Sequence, residues 1–442
     1  MPEMIESRKS HFECTGLMVY FIYSFALANK VSGFEYEPVD AEKLFRRQTS
    51  TQGIGTPASR QGIKQHLELC DQIGWKQHAE IRAEVVRSKG TADKRKFVQP
   101  SQIRIQPLVR VFRAGATCCF GVRLVTASAP TVSVETIHDL LGLVQQTEGE
   151  LTPSRLRIQG TPRLTTLHQL FVECVRGYAT ARGNKKLTLY WLDDSEGYIS
   201  LRPHGQEGES QSPWVVTVAE VKGETAEAFC SSWSKHQNPA REKAFRIKKY
   251  EPEVAGVLYR SVTGGDLSLE PGYIDARIPG EPLGLHSVNL DARLYVAMSN
   301  RSMFCVRRCG EEDRDATSYF IPDLLDLCEM VRARWHMLII MNRYLDKVLD
   351  QLKDEDSTAE QKMRLVISAR KWLARLLEDP ELYRVAGDAL ANISLRLKDV
   401  FREAALRKLL LEKADLIERI RAGIGELDWL TIRSQYRSSR RE

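Results

Sequence analysis

The chain has 442 residues, with 64 lysines and arginines against 58 aspartates and glutamates, a formal charge of +6 and 43% hydrophobic residues. That composition excludes disordered, collagen-like and disulfide-scaffold chains, and a mean hydropathy of -0.33 speaks against a polytopic membrane protein. At roughly 100 to 200 residues per domain, two or three domains are expected. The nine cysteines are spread without a CxxC pair, which fits reduced thiols in a cytoplasm. Cys305 and Cys309, with Cys328 and His336 beyond, do not make a zinc spacing, so no metal is expected.

The first segment, residues 1–150, opens with the apolar run Leu17 to Phe25 followed by Ala26-Leu27-Ala28. The run imitates a signal-peptide core, but the residues before it carry Glu3, Glu6 and Glu13 against Arg8 and Lys9. Its aromatic and β-branched content predicts a buried strand instead. A Gly/Ser/Thr/Pro loop near Thr49 to Gln61 precedes apolar spacing that predicts helices over Gln61 to Trp75 and Gln77 to Ser88, a helix-turn-helix outline. Alternation from Ile103 to Val111 and again through Arg123 predicts a hairpin turning at Ala114-Gly115-Ala116. Ser133 then caps a helix to Gln146.

Beyond a linker at Glu148 to Pro162, a second α/β segment over 151–315 reads as helix Thr166 to Tyr178, strand Leu187 to Trp191, a turn at Asp193 to Gly197 and strand Tyr198 to Arg202. Strand Trp214 to Ala219, helices Thr225 to His236 and Glu251 to Ser261, a Gly/Pro-rich excursion to Leu285, and strands Leu294 to Met298 and Met303 to Val306 follow. Residues 316–442 change character. Leu324, Val331, Leu338, Leu345 and Leu352 repeat every seven residues, a coiled-coil-like seam. A second helix runs from Ser357 to Glu378. A third starts at Asp379-Pro380 and continues through Leu410 to Ile420, a rod of about 60 Å at 1.5 Å per residue. The expected fold is thus an α/β (α+β) N-terminal region followed by a long-helix C-terminal bundle or stalk.

Three groups of residues are candidates for function. Glu220-Val221-Lys222 closes an apolar strand, and Asp193 and Asp194 precede it. Two carboxylates holding Mg²⁺ beside a lysine that positions water is the chemistry of phosphodiester hydrolysis. The order of elements over 166–240 resembles the PD-(D/E)xK nuclease core, although the acids sit in the turn after the first strand, where that family has its aspartate on the second. The alternative is a solvated strand end. Between Arg82 and Arg113 nine basic residues face two acidic ones, and Lys89, Lys94, Arg95 and Lys96 are the candidates for phosphate or nucleic-acid binding. The seam Leu324, Val331, Leu338, Leu345 and Leu352 is the candidate partner-binding surface, unless those helices pack on one another within the chain. There is no GxxxxGK[ST], GxGxxG after a strand, GxSxG or HExxH, so nucleotide hydrolysis and serine hydrolysis are disfavoured and no cofactor is expected beyond Mg²⁺ in the nuclease reading.

The strands Leu294 to Met298 and Met303 to Val306, then Ser318-Tyr319-Phe320-Ile321-Pro322-Asp323 leading into the heptad helix, resemble the cytoplasmic part of CorA-type magnesium channels. The Gly-Met-Asn signature of that family is missing, and no segment reaches the roughly 18 apolar residues of a membrane span. The resemblance implies a soluble relative of the bacterial conflict and defence type that senses or assembles. The expected protein is therefore a non-catalytic cytoplasmic chain acting as a homo-oligomer or with a partner protein, with the nuclease and the non-enzymatic nucleic-acid binder as alternatives.

Overall fold

The computed structural model describes residues 16–32, 35–38, 72–86, 102–112, 115–124, 155–180, 188–193, 200–203, 213–221, 286–291, 294–298, 302–308, 320–354, 357–377 and 388–438. The expected helices Ser133 to Gln146, Thr225 to His236 and Glu251 to Ser261 lie outside them, as do the first loop and the Gly/Pro-rich excursion. Within them the chain is a mixed α/β fold: one large sheet with a helical region at its C-terminal end.

The run read as a strand is the middle of the sheet. β1 (Gly16–Ser32) pairs antiparallel with β6 (Gly115–Leu124) on one side and β11 (Trp214–Val221) on the other. Covered on both faces, it needs apolar residues at successive positions, and Phe21, Ile22, Tyr23 and Phe25 are all buried. The order continues outward from β6 through β5 (Gln102–Phe112), β4 (Ile81–Val86), β7 (Arg155–Ile158) and β8 (Leu164–Thr165). On the other side β11 meets β14 (Ser302–Arg308) in parallel, then β13 (Leu294–Met298) and β12 (His286–Asp291). The far half of β1 carries β2 (Glu35–Pro38) and β9 (Thr188–Asp193), and β9 carries β10 (Ser200–Pro203). Strands from 1–150 and from 151–315 thus interleave in one sheet, so these segments are not two separate sheets.

Two expectations are corrected. The end of the helix expected over Gln61 to Trp75 is strand β3 (Gln72–Gln77), paired with β5, and Gln77 to Ser88 contains β4. Ile81, Ala83 and Val85 alternate with Arg82 and Glu84, a period of two that pairing with β5 and β7 fixes as strand. The helix-turn-helix outline falls with them. The linker expected near Glu148 to Pro162 contains β7, whose Arg157 stands opposite Glu84.

The middle of the sheet is covered on both faces. α1 (Leu167–Thr180) lays Phe171 flat on Tyr23, with ring centroids 4.8 Å apart, and against Phe25. The opposite face, bearing Ile22, Cys119, Trp214 and Cys305, packs against α2 (Phe320–Lys353). α3 (Ala359–Leu377), α4 (Asp388–Val400) and α5 (Glu403–Ser438) complete the helical layer. The long third helix expected from Asp379 is two helices, α4 and α5. The break is at Phe401, buried edge-on to Trp214 at 5.5 Å and beside Trp335, and at Arg402, whose φ of 51 turns the backbone out of the helix.

Gly115 opens β6 at φ 151, and a Cβ there would stand 2.6 Å from the Ala333 carbonyl oxygen of α2. Gly115→Ala should therefore destabilise the fold by about 2 kcal/mol or more, read by chemical denaturation, because neither the φ nor a helix backbone can yield cheaply. An unchanged midpoint would show that α2 does not press on this hairpin.

Candidate functional site

The seam between sheet and helix is polar where a core is normally apolar. Arg110 on β5 and Thr117 on β6 stand opposite each other and face α2. Arg110 forms an ion pair with Asp326, and its Nε lies 3.6 Å from Glu329 Oε1, while the Thr117 hydroxyl donates to Glu329 Oε2 at 2.8 Å. Glu329 is 1% exposed. Burial pushes its carboxyl above the usual range, and Arg110 and Thr117 pull it part of the way back. Farther along α2, Arg334 and Arg407 share Glu403, at 2.9 and 3.2 Å, and the Arg332 guanidinium sits 4.0 Å from the Trp335 ring centroid. His336 is fully buried, and both ring nitrogens are without a hydrogen-bond partner among the described residues.

These groups hold elements together. The thiols beside them, Cys119, Cys305 and Cys328, are pushed up by burial and so are poor nucleophiles. Among the described residues no group of three or more His, Cys, Asp or Glu is arranged to hold a metal ion.

Of the nuclease residues, Asp193 and Glu220 are described, and they lie apart. Glu220 stands opposite Gly16 and forms an ion pair with Arg307 at 3.3 Å. Tyr190 stands opposite Ala26, ten residues or about 33 Å farther along β1. Asp193, three residues or about 10 Å from Tyr190, cannot close that gap. Asp194 and Lys222 lie outside the described residues, as do Lys89, Lys94, Arg95 and Lys96.

The heptad seam is accounted for within the chain. Leu324 and Val331 pack against the sheet in one core cluster, while Leu338, Leu345 and Leu352 pack with α3 and α5 in another. All five are buried, so as a partner-binding surface they are a correction: α2 has neighbours on its sheet side and its helix side and spends its apolar stripe on them.

What stays outside is a different set of apolar residues. Ile367 on α3, Leu395 on α4 and Leu409, Leu411 and Leu416 on α5 are exposed. At 100° per residue, Leu409 and Leu416 share one flank of α5 and Leu411 lies on the other. The ridge between carries the ion pairs Lys408 to Glu412 and Asp415 to Arg419. The periodicity of α5 contained this signal, because Leu409, Leu410 and Leu411 cannot all face one core. No described helix is long and apolar enough to cross a membrane. No protein-family model matches the chain, and no curated protein matches it.

Two outcomes follow for this seam. Arg110→Ala leaves Asp326 and Glu329 buried without their cation and should cost about 3 to 5 kcal/mol in denaturant unfolding. The His336 imidazole is held well below its usual range by burial and then by Arg332. The unfolded chain therefore takes up the proton first, so stability is full above about pH 6.5 and falls as pH drops below it. Thermal midpoints measured from about pH 8 to 5.5 should decline in the wild type and decline less in His336→Gln; equal slopes would discard the assignment.

Proposed function

We propose that the protein is a non-catalytic, cytoplasmic sensing and assembly protein that joins copies of itself through the outer face of its C-terminal helices. The observation that carries this reading is where the apolar exposure falls. Of the six large hydrophobic side chains exposed among the described residues, five are on α3, α4 and α5. Apolar surface concentrated on one layer marks association more often than chance scatter does. On α5 the leucines at 409 and 416 recur at seven residues beside a charged ridge, the arrangement from which helix pairs are built.

The resemblance to CorA-type cytoplasmic domains supports the same reading, since there the helices after the last strands are the assembling part. In this chain β13 and β14 lead into α2, and the outer helices α3 to α5 are the ones left with exposed aliphatic side chains. A role in bacterial defence belongs to that resemblance alone and enters the proposal only as its biological setting.

Light scattering coupled to gel filtration tests the reading. At about 50 µM the wild type should elute as a dimer or larger, and Leu409→Glu with Leu416→Glu should elute at 50.3 kDa with an unchanged circular dichroism spectrum. A wild type that stays monomeric, or a double variant that assembles as before, would overturn it.

A further inference from the structure

We propose a second site, independent of the helical face: a row of arginines across the sheet that binds the phosphate backbone of nucleic acid. Arg82 on β4 stands opposite Arg104 on β5, and Arg104 stands opposite Arg123 on β6. Residues directly opposite across a ladder share a face, so three guanidinium groups line up on adjacent strands. At about 4.8 Å per strand the row spans about 10 Å. All three are exposed, Arg82 and Arg104 with 61% and 44% of their side chains in solvent.

The row lies on the same face as Arg110 and Thr117, but six residues, or about 20 Å, farther along β5. There the helical layer covers the face, and here it leaves it open. On β7 Arg157 is paired with Glu84 at 3.1 Å, and the exposed Arg155 two residues before it adds charge beside the row.

Like charges placed opposite one another in a sheet are destabilising. The described neighbourhood does little to neutralise them: Glu80 reaches Arg82 and Arg104 only at 3.9 Å each, and Arg123 Nε turns to the Met18 sulfur at 3.0 Å. A row kept in this state calls for an anion from outside the chain. Planar guanidinium forks pair bidentately with phosphate, and 10 Å is the axial length of about three nucleotides of one strand.

A lipid surface fits less well, because insertion needs exposed apolar side chains, and among the described residues the large one on this face is Leu164 alone, opposite Arg157 at the sheet margin. No aromatic side chain is among the large hydrophobics exposed in the described residues, so base stacking has no platform there. Recognition therefore goes through phosphates and is indifferent to sequence.

Fluorescence anisotropy with a labelled 20-nucleotide strand and a 20-base-pair duplex, each in two unrelated sequences, tests this on the full chain. The wild type should bind both sequences alike, with affinity falling linearly on a log-log plot against salt. R82Q/R104Q/R123Q should bind at least about tenfold more weakly near 0.1 M salt, with the salt slope reduced by about two to three. Its thermal midpoint should not fall, since repulsion is relieved, and Arg163→Gln, a paired arginine elsewhere on the surface, should bind like the wild type. The Arg→Lys triple, which keeps charge but not the fork, should lie between the two and reports even if the glutamine variant aggregates. The proposal is overturned by a wild type that binds neither probe below about 100 µM, by variants with wild-type affinity and slope, or by binding to anionic vesicles in place of nucleic acid.

Discussion

The fold depends on keeping two carboxylates out of water. Asp326 and Glu329 sit buried where α2 crosses the sheet, and desolvation there raises the Glu329 carboxyl, with Arg110 and Thr117 pulling it back. Arg110 and Thr117 lie on adjacent strands and meet both acids only if β5, β6 and α2 are all in place. Apolar packing alone would let a helix slide on a sheet, since dispersion has little direction. The ion pair has direction, so it sets where along the sheet the helix lies. Gly115 sets how closely it approaches.

From that placement the rest of the helical layer follows. With α2 fixed, Phe401 reaches the gap between Trp214 and Trp335, which requires the chain to leave the helical path at Arg402. Glu403 then restarts the helix and pairs with Arg334 on α2. Lys413 continues the alignment, bonding the Asn342 carbonyl at 3.1 Å and Asp346 at 2.7 Å. The order of these contacts, 334 to 403 and 346 to 413, shows α5 running parallel to α2. This is why α5 has one flank buried and keeps two others outside.

The parts legible in the sequence were those whose pattern is local and long. β1, β11, β13, β14, α1 and α2 each carry enough aromatic, β-branched or heptad signal within their own length. β3 and β4 read as helices because their apolar residues also suit a period near 3.6, and the partner that decides between the periods, β5, lies about twenty to forty residues away. The Leu324 seam was legible as a buried stripe, but not what buries it. Asp326, Glu329, Arg332 and His336 fall at heptad positions that a two-stranded coil leaves in water. All four are buried: Asp326 and Glu329 face Arg110 and Thr117 of the sheet, and Arg332 lies over Trp335 and Phe401, contacts no periodicity encodes. The register that separates Asp193 from Glu220, and the one that aligns Arg82, Arg104 and Arg123, are likewise properties of pairing between distant segments.

β1 also sets the pace of folding. Its apolar run is synthesised before either neighbour: Tyr20 pairs with Gly121 about a hundred residues later and with Val216 about two hundred residues later. At ribosomal rates of about 5 to 20 residues per second, the strand that becomes the middle of the sheet waits about 10 to 40 seconds for β11. Such non-local pairing is slow even in a complete chain. During that interval the run Met18 to Phe25, aromatic, β-branched and uncharged, is the kind of segment that stacks with its own copies. The chain's yield in a cell is thus tied to how quickly translation delivers β6 and β11, or to a chaperone that holds β1 until they arrive.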